Sequence, residues 1–310
     1  MKKLSVIIPV YFNEMNIPKL YEKLMKVLKN DKFSYEVIFV DDGSQDNSYL
    51  ELLKVRKKDK NIKILKLSKN YGSHTAILAG MSHITGDCVT VLSADLQDPP
   101  EIIEKMFEKW LEGNKVVLAV RESREESFLQ TFISNTYYKL MQRFALKNMP
   151  KGGFDCFLID KQVCEKVAEM KEKNTSIMGQ ILWCGFKTEK IYYTRREREE
   201  GKSRWTLSKK IKLFVDSFLS FSYFPIRFMS FLGFLFSIFG FFGIIYLVFN
   251  KLLNNVSIKG WTSMIAIVLI VSGVQMLITS VIGEYVWRIL DEVKNRPNYI
   301  IEEEVGFDEK

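Results

Sequence analysis

The residues best suited to chemistry lie where an apolar β-type run, Cys88 to Leu92, ends at polar side chains just before a helix start. Apolar runs of this length are typical of buried strands, and open α/β sheets bind ligands beyond the carboxyl ends of their strands. Asp95 and Gln97 offer hard oxygen ligands for Mg²⁺ or Mn²⁺, and such a cation could hold the diphosphate of an activated donor. The segment therefore predicts a substrate that carries phosphate.

The residues that follow predict a helix N-terminus. Asp98 can serve as the N-cap, Pro99 then occupies the first helical position, and Glu101 stands three residues after the cap. We expect Asp98 to be a structural cap. Asp95 and Gln97 precede the cap and are not needed by it, which favours a binding role for both.

Two other predicted strands end at groups that could hold a nucleoside. The first ends at Pro9 to Glu14, which includes Tyr11, and the second ends at Asp41-Asp42-Gly43-Ser44. An aromatic ring can stack on a base while a carboxylate accepts a ring N–H. Asp42 would accept equally well from uracil and from guanine, so the pattern leaves UDP and GDP open. Asp-Gly-Ser is also a common turn.

Strands and helices must alternate to position these residues. The predicted strands are 4–10, 35–40, 62–67, 88–92, 116–120 and 154–159, and the predicted helices are 18–28, 49–57, 75–84 and 100–111. This order predicts an α/β fold, with a mostly parallel sheet and helices on both faces.

Two long runs near the C-terminus, 228–249 and 261–283, contain no charged side chain. Each is long enough to cross a hydrocarbon core of ~30 Å as a helix, and a short loop joins them as a transmembrane hairpin. We expect a catalytic domain at 1–203, an interfacial amphipathic helix region at 204–226, a hairpin region at 227–290 and a cytoplasmic tail at 291–310.

Charge predicts the orientation in the membrane. Basic residues flank the hairpin on both sides, and the formal net charge of +8 suits a protein beside anionic headgroups. Both termini and the catalytic domain are therefore expected to be cytoplasmic, at the inner membrane. The apolar faces of a two-helix hairpin could also pack between protomers as a homo-oligomer.

Composition argues against several functions. The four cysteines lack metal-type spacing, and two histidines leave little material for a histidine metal site or a Ser-His-Asp hydrolase. The basic stretch at 192–204 is short, interleaved with glutamates and close to the apolar runs, so a nucleic-acid partner is not expected. By itself, this stretch could also be a solvated charge run.

Together these motifs resemble family 2 glycosyltransferases, and especially the polyprenyl-phosphate glycosyltransferases such as dolichol-phosphate mannose synthases and bactoprenol glucosyltransferases. The resemblance covers nearly the whole chain, including the hairpin. The motifs that carry it, in chain order, are Pro9-Val10-Tyr11-Phe12-Asn13-Glu14, Asp41-Asp42-Gly43-Ser44, Asn70-Tyr71-Gly72, Gly80, Gly86-Asp87, Ala94-Asp95-Leu96-Gln97-Asp98-Pro99-Pro100-Glu101 and Gly201-Lys202-Ser203-Arg204-Trp205.

The resemblance implies a GT-A fold and the inverting transfer of a sugar from a nucleotide sugar to a polyprenyl phosphate such as undecaprenyl phosphate. The expected donor is UDP-glucose, and the expected transferred sugar is glucose. By position, the resemblance assigns the nucleoside to Pro9, Tyr11, Glu14 and Asp42, and it assigns Mg²⁺ or Mn²⁺ and the diphosphate to Asp95 and Gln97. It places Asp155 in the acceptor region and implies a phosphate-binding loop that contains Arg195, Arg198, Lys202 and Arg204. The catalytic residues that it implies are Asp95, Asp155, Arg198 and Arg204.

The chain departs from the family pattern at Ser93, where many relatives have the first aspartate of Asp-x-Asp. A serine hydroxyl carries no charge, so it would weaken the metal site if that aspartate were a direct ligand. We favour a role for this position in orienting the sugar or ribose, for which serine is adequate. Three alternatives stay open: mannose transfer from GDP-mannose, a processive polysaccharide synthase, and a membrane sensor that binds a nucleotide without turnover.

Overall fold

The fold is that of a computed structural model, which describes residues 1–121, 136, 138–150, 152–170, 172–194, 207–254 and 260–307. The chain divides into two compact units. The first consists of Met1–Ser220 together with Pro297–Lys310, and the second is Phe221–Arg296. The chain thus leaves the first unit once and returns to it at the C-terminus.

The first unit is built on a mixed sheet of eight strands in the order β7-β5-β6-β4-β1-β2-β3-β8. Strand β1 is parallel to β2 and β4, β2 to β3, and β5 to β7, whereas β6 and β8 are antiparallel to their neighbours. The predicted mostly parallel sheet is confirmed. The strands are β1 Lys3–Val10, β2 Ser34–Asp41, β3 Ile62–Leu67, β4 Cys88–Val91, β5 Val116–Arg121, β6 Phe154–Asp160, β7 Thr188–Tyr193 and β8 Ile301–Val305.

Helices cover both faces of this sheet, as predicted. Alternate residues of β1, from Leu4 to Val10, share one core with apolar residues of α1, α2 and α4, while Ile7 on the opposite face approaches Gly80 of α3. Strands buried on both faces are apolar at most positions, which explains the nearly continuous apolar runs in the sequence. The helices of this unit are α1 Ile17–Leu28, α2 Ser48–Lys58, α3 Ser73–Met81, α4 Ile102–Leu111, α5 Lys161–Glu169, α6 Ile177–Trp183 and α7 Leu207–Phe221.

The start of α4 differs from the prediction. The helix begins at Ile102 with Glu101 at the N-cap position, so Asp98 is not the N-cap. Tight turns through the two prolines come first, because Ile102 N–H donates to the Pro99 carbonyl and Ile103 N–H to the Pro100 carbonyl. These i to i+3 bonds delay the α-helix by one turn.

The C-terminal strand β8 was not predicted, since 291–310 was interpreted as a tail. Its acidic residues lie beside β3, where Lys66 forms ion pairs with Glu302 at 3.2 Å and Glu303 at 3.3 Å. The Tyr49 hydroxyl also donates to Glu303 at 2.6 Å. An acidic run with no apolar alternation becomes a strand here because partners on its neighbours neutralise it.

The second unit contains two long helices, α8 Phe224–Asn254 and α9 Trp261–Val293, which include the predicted runs 228–249 and 261–283. Both are long and apolar enough to cross a membrane, with spans at Phe224–Asn250 and Ser263–Val293. Most of their large apolar side chains are exposed. Such surfaces are typical of contact with lipid or protein, and the two helices fit membrane association.

Candidate active site

The sheet has a topological switch point between β1 and β4. The chain runs from β1 through β2 to β3 on one side of β1 and then places β4 on the other side. In open α/β sheets, this arrangement leaves a crevice at the carboxyl ends of the two strands on either side of the switch. Tyr11 directly follows β1 and Asp95 follows β4, so two predicted site residues come from these ends.

Both strand ends at the switch point carry an unusual backbone. Phe12 has φ +55° and Leu96 has φ +61°, a left-handed conformation that bulky residues rarely adopt. Leu96 is also buried. Strained residues of this kind cluster at binding and catalytic sites, where the surrounding structure holds them in place. The strain therefore indicates the same crevice as the topology.

The turn after β4 orients the Asp95 carboxylate. The Ser93 hydroxyl donates to Asp95 Oδ1 at 2.7 Å, and the Gln97 backbone N–H donates to the same oxygen at 3.2 Å. Asp95 is buried at this position. Ser93 thus holds the Asp95 carboxylate, a contact that the sequence analysis did not predict. The role in orienting the sugar or ribose that we favoured for this position stays a prediction.

Asp42, predicted to meet the nucleobase, has a structural role that the sequence did not indicate. Its Oδ1 accepts from Tyr71 N–H at 2.7 Å and its Oδ2 from Gly72 N–H at 2.9 Å. Only 2% of the residue is exposed. The carboxylate therefore fixes the loop between β3 and α3, and its contact with a base stays a prediction.

The other predicted nucleoside residues surround the end of β1. Pro9 and Tyr11 are half-buried, and the Tyr11 ring meets Phe12 edge to face at 4.6 Å. Glu14 accepts a hydrogen bond from the Asn47 backbone N–H at 2.9 Å, which ties the β1 loop to the start of α2. The structure brings these residues together at one edge of the sheet.

The far half of the same edge contains two polar pairs, of which the second is buried. Arg121, at the end of β5, forms an ion pair with Asp155 of β6. Tyr193, which pairs with Arg121 in strand register, donates its hydroxyl to Asp98 Oδ1 at 2.7 Å. The sequence analysis singled out Asp155 but missed Arg121 and Tyr193. An arginine directly after the apolar run 116–120 was the available signal.

A cavity of about 870 Å³ opens beside Arg121. Three cationic side chains contribute to its lining, which also includes two amides and two aromatic rings. These side chains are Arg121, Lys147, Lys190, Gln142, Asn148, Phe186 and Tyr192. Such a lining suits an anion attached to an apolar group.

Comparison with known proteins identifies the family. The profile of glycosyl transferase family 2 matches residues 5–168. The chain belongs to this family. It is 40% identical over 308 residues to the Bacillus subtilis (strain 168) protein named uncharacterized glycosyltransferase YkcC, covering 99% of this chain and 95% of that protein. The predicted family and glycosyltransferase activity are confirmed.

Two further similarities bear on this family 2 glycosyltransferase. The SfII prophage-derived bactoprenol glucosyl transferase of Shigella flexneri is 31% identical over 300 residues, covering 96% of this chain and 97% of that protein. A solved structure of the mannosyltransferase PcManGT from Pyrobaculum calidifontis, in complex with GDP-Man and Mn²⁺, is 16% identical with a TM-score of 0.47, covering 68% of this chain and 60% of that chain.

The family 2 match spans the predicted residues from Pro9 to Asp155. The predicted loop residues Arg195, Arg198, Lys202 and Arg204 lie outside the described residues, so their roles stay predictions. Across the described ranges, no group of three or more His, Cys, Asp or Glu side chains could hold a metal ion. Asp95 and Gln97 still fit Mg²⁺ or Mn²⁺, because such ions are often held by one or two carboxylates with the substrate's phosphates completing the shell.

Proposed function

We propose that this family 2 glycosyltransferase transfers a sugar, with inversion, from a nucleotide sugar to a polyprenyl phosphate at the cytoplasmic face of the membrane. The main support is similarity over nearly the full chain to proteins named bactoprenol glucosyl transferase, including the region of the two apolar helices. The two apolar helices fit an acceptor that resides in the bilayer, because they would anchor the enzyme at the same membrane.

The donor would bind across the switch point, with its nucleoside near Tyr11 and Asp42 and its diphosphate near the turn after β4. UDP-glucose is the expected donor, in line with the glucosyl transferases among the relatives. Asp95 and Gln97 would hold a divalent cation with the diphosphate. When bound, this cation would neutralise charge that develops on the leaving group.

The acceptor phosphate would approach from the far half of the edge. Arg121 and the cavity beside it, with Lys147 and Lys190, offer positive charge for an anionic group. Arginine can bind phosphate through two parallel hydrogen bonds. We expect Arg198 and Arg204 to add to this charge, and Asp155 to orient Arg121 and the acceptor.

The reaction would be a direct displacement. A phosphate oxygen of the lipid attacks the anomeric carbon from the face opposite the nucleotide, a new C–O bond forms, and the bond to the nucleoside diphosphate breaks. A phosphate monoester has a second pKa of about 6, so much of it is doubly charged at neutral pH. A strong general base is therefore unnecessary, and the residues act by alignment and charge stabilisation.

The test is a transfer assay with the full chain in membranes, supplied with undecaprenyl phosphate and a panel of radiolabelled UDP and GDP sugars. We expect a chloroform-soluble product that requires a divalent cation. Asp95→Asn should lower turnover by about 100-fold or more, as removal of a group that stabilises transition-state charge does. Asp31→Asn, at an exposed position before β2, is the matched control.

Three results would contradict the proposal. A polymer insoluble in chloroform would indicate a processive synthase, and nucleotide binding without any product would indicate a sensor. Full turnover after removal of divalent cations would exclude the metal role of Asp95 and Gln97.

A further inference from the structure

The hydrogen bond between Tyr193 and Asp98 joins two parts of the first unit that are distant in sequence. Tyr193 is the last residue of β7, and β7 lies three strands from β4 in the sheet order. Asp98 closes the turn that carries Asp95 and Gln97. Both partners are buried, with 7% of Tyr193 and 3% of Asp98 exposed. The 2.7 Å bond therefore fixes the end of the turn from across the sheet.

The burial of both partners strengthens this hydrogen bond. A buried carboxylate requires hydrogen-bond donors from the protein, because water cannot reach it. Loss of one donor therefore leaves its negative charge poorly stabilised. Burial and the neighbouring Asp98 both raise the pKa of Tyr193. The phenol therefore stays protonated, and so remains a donor, throughout the neutral pH range.

The turn needs support at both ends. Leu96, at its centre, adopts a left-handed backbone conformation that is strained for a bulky residue. Ser93 holds Asp95 on the near side of Leu96, and Tyr193 holds Asp98 on the far side. Without one support, the backbone at Leu96 can relax and move both Asp95 and Gln97.

We propose that Tyr193 is a positioning residue for the diphosphate and metal, acting through Asp98 on the turn that carries Asp95 and Gln97. This inference rests on the proposed donor-binding role of that turn. Tyr193 itself need not touch the substrate. Its loss should weaken nucleotide and metal binding together and lower turnover, while the KM for the lipid acceptor stays unchanged.

The experiment compares two tyrosines that make the same kind of bond. Tyr193→Phe removes only the hydroxyl, and Tyr35→Phe removes a hydroxyl that donates to Asp59 at 2.8 Å at the opposite edge of the sheet. Calorimetric titration of the full chain in detergent with UDP or GDP plus Mn²⁺ gives the affinity. We expect about tenfold weaker binding for Tyr193→Phe and no change for Tyr35→Phe.

Substitutions at Asp98 provide a second test should Tyr193→Phe fold poorly. Asp98→Asn keeps an oxygen that can accept from Tyr193 and should retain most of the affinity, whereas Asp98→Ala should lose it. Equal affinities in the two tyrosine variants, or equal losses in the two Asp98 variants, would overturn the inference.

The same titration separates this inference from the proposed function. A wild-type chain that binds UDP or GDP with Mn²⁺ but transfers no sugar to the lipid would contradict the proposed acceptor only, and the Tyr193 comparison would still decide. A wild-type chain that binds neither nucleotide would overturn both.

Discussion

At the residue scale, Ser93 shows how a neutral side chain can hold a carboxylate in place. Its hydroxyl donates to Asp95 Oδ1, so it fixes the carboxylate without adding a second one. A single carboxylate leaves more of the metal's coordination to the donor phosphates and to water. The enzyme would then bind the cation mainly together with its donor.

Replacing Ser93 tests this role. Ser93→Ala should raise the metal concentration for half-maximal activity and lower kcat/KM by about tenfold, since a hydrogen bond to a charged group is lost. Ser93→Thr, which keeps the hydroxyl, is the control and should stay close to wild type. A Ser93→Ala enzyme with unchanged metal dependence would show that Asp95 is oriented by other contacts.

Glu36 lies near the start of β2, at the end of the strand opposite Asp42, and several donors hold its carboxylate. Its side chain is 2% exposed and accepts from Ser5, Thr85 and Lys63 at 2.5 to 2.8 Å. Burial alone would raise its pKa, but the hydrogen bonds from Lys63, Ser5 and Thr85 outweigh burial and lower the pKa to about 2. Glu36 thus ties together β1, β2, β3 and the loop before β4.

This shift predicts a dependence of stability on pH. The unfolded chain binds the Glu36 proton more tightly than the folded chain, so the contribution is complete above the ordinary pKa of 4.5 and is lost as pH falls towards about 2. Glu36→Gln should lower the thermal midpoint at pH 7, and its difference from wild type should shrink between pH 5 and about 3. A constant difference across that range would contradict the assignment.

At the element scale, the loops after β2 and β3 meet without room for a side chain. Gly43 has φ +69°, and a Cβ at this position would lie 2.5 Å from the carbonyl carbon of Lys69. The adjoining loop at 70–72 is the one that Asp42 holds. The close approach therefore links the β2 turn to the predicted nucleoside side of the site.

Gly43→Ala should displace the loop at 70–72 and raise the KM for the donor several-fold, with a loss of stability of about 1–3 kcal/mol from crowding. Gly113→Ala is the matched control, because Gly113 has φ +92° but nothing within 4 Å of its Cβ position. The control should lose only about 1 kcal/mol of stability, from the strain of a positive φ on alanine, and its donor KM should be unchanged. Equal donor KM values in the two variants would refute the link.

At the scale of the whole molecule, the first and last strands belong to one sheet. β1 and β8 both lie in the first unit, so the chain enters and leaves the two apolar helices from the same folded body. If the helices cross a bilayer, they must cross it as a pair, because one body cannot occupy both sides. The basic residues beside the helices favour the cytoplasmic side.

Tags at residues 1 and 310 should therefore be cleaved by protease in inverted membrane vesicles and protected in spheroplasts. A tag inserted at 255–259 should give the opposite result. Cleavage of the two terminal tags from opposite sides would contradict the paired crossing, and cleavage of both from outside would reverse the proposed orientation.

Local pattern predicted most elements of the first unit. The apolar runs of β1 to β6 and the helical periodicity of α1 and α4 depend on neighbours within a few residues, so the sequence displays them directly. Strands β7 and β8 were not predicted from the sequence. Charged and aromatic residues dominate them, and their pairing partners are distant in sequence. Only long-range contacts decide such strands.

The sequence by itself determined the alternation of strands and helices, the two apolar helices, and the polar strand ends at Tyr11, Asp42 and Asp95, because residue type and spacing encode these locally. The tertiary structure alone decided that Asp98 accepts from Tyr193, that Asp42 holds the loop at 70–72, and that the C-terminal strand completes the sheet. Each of these joins residues at least 29 positions apart, and the packing of the sheet, which brings distant strand ends together, fixes which of them meet.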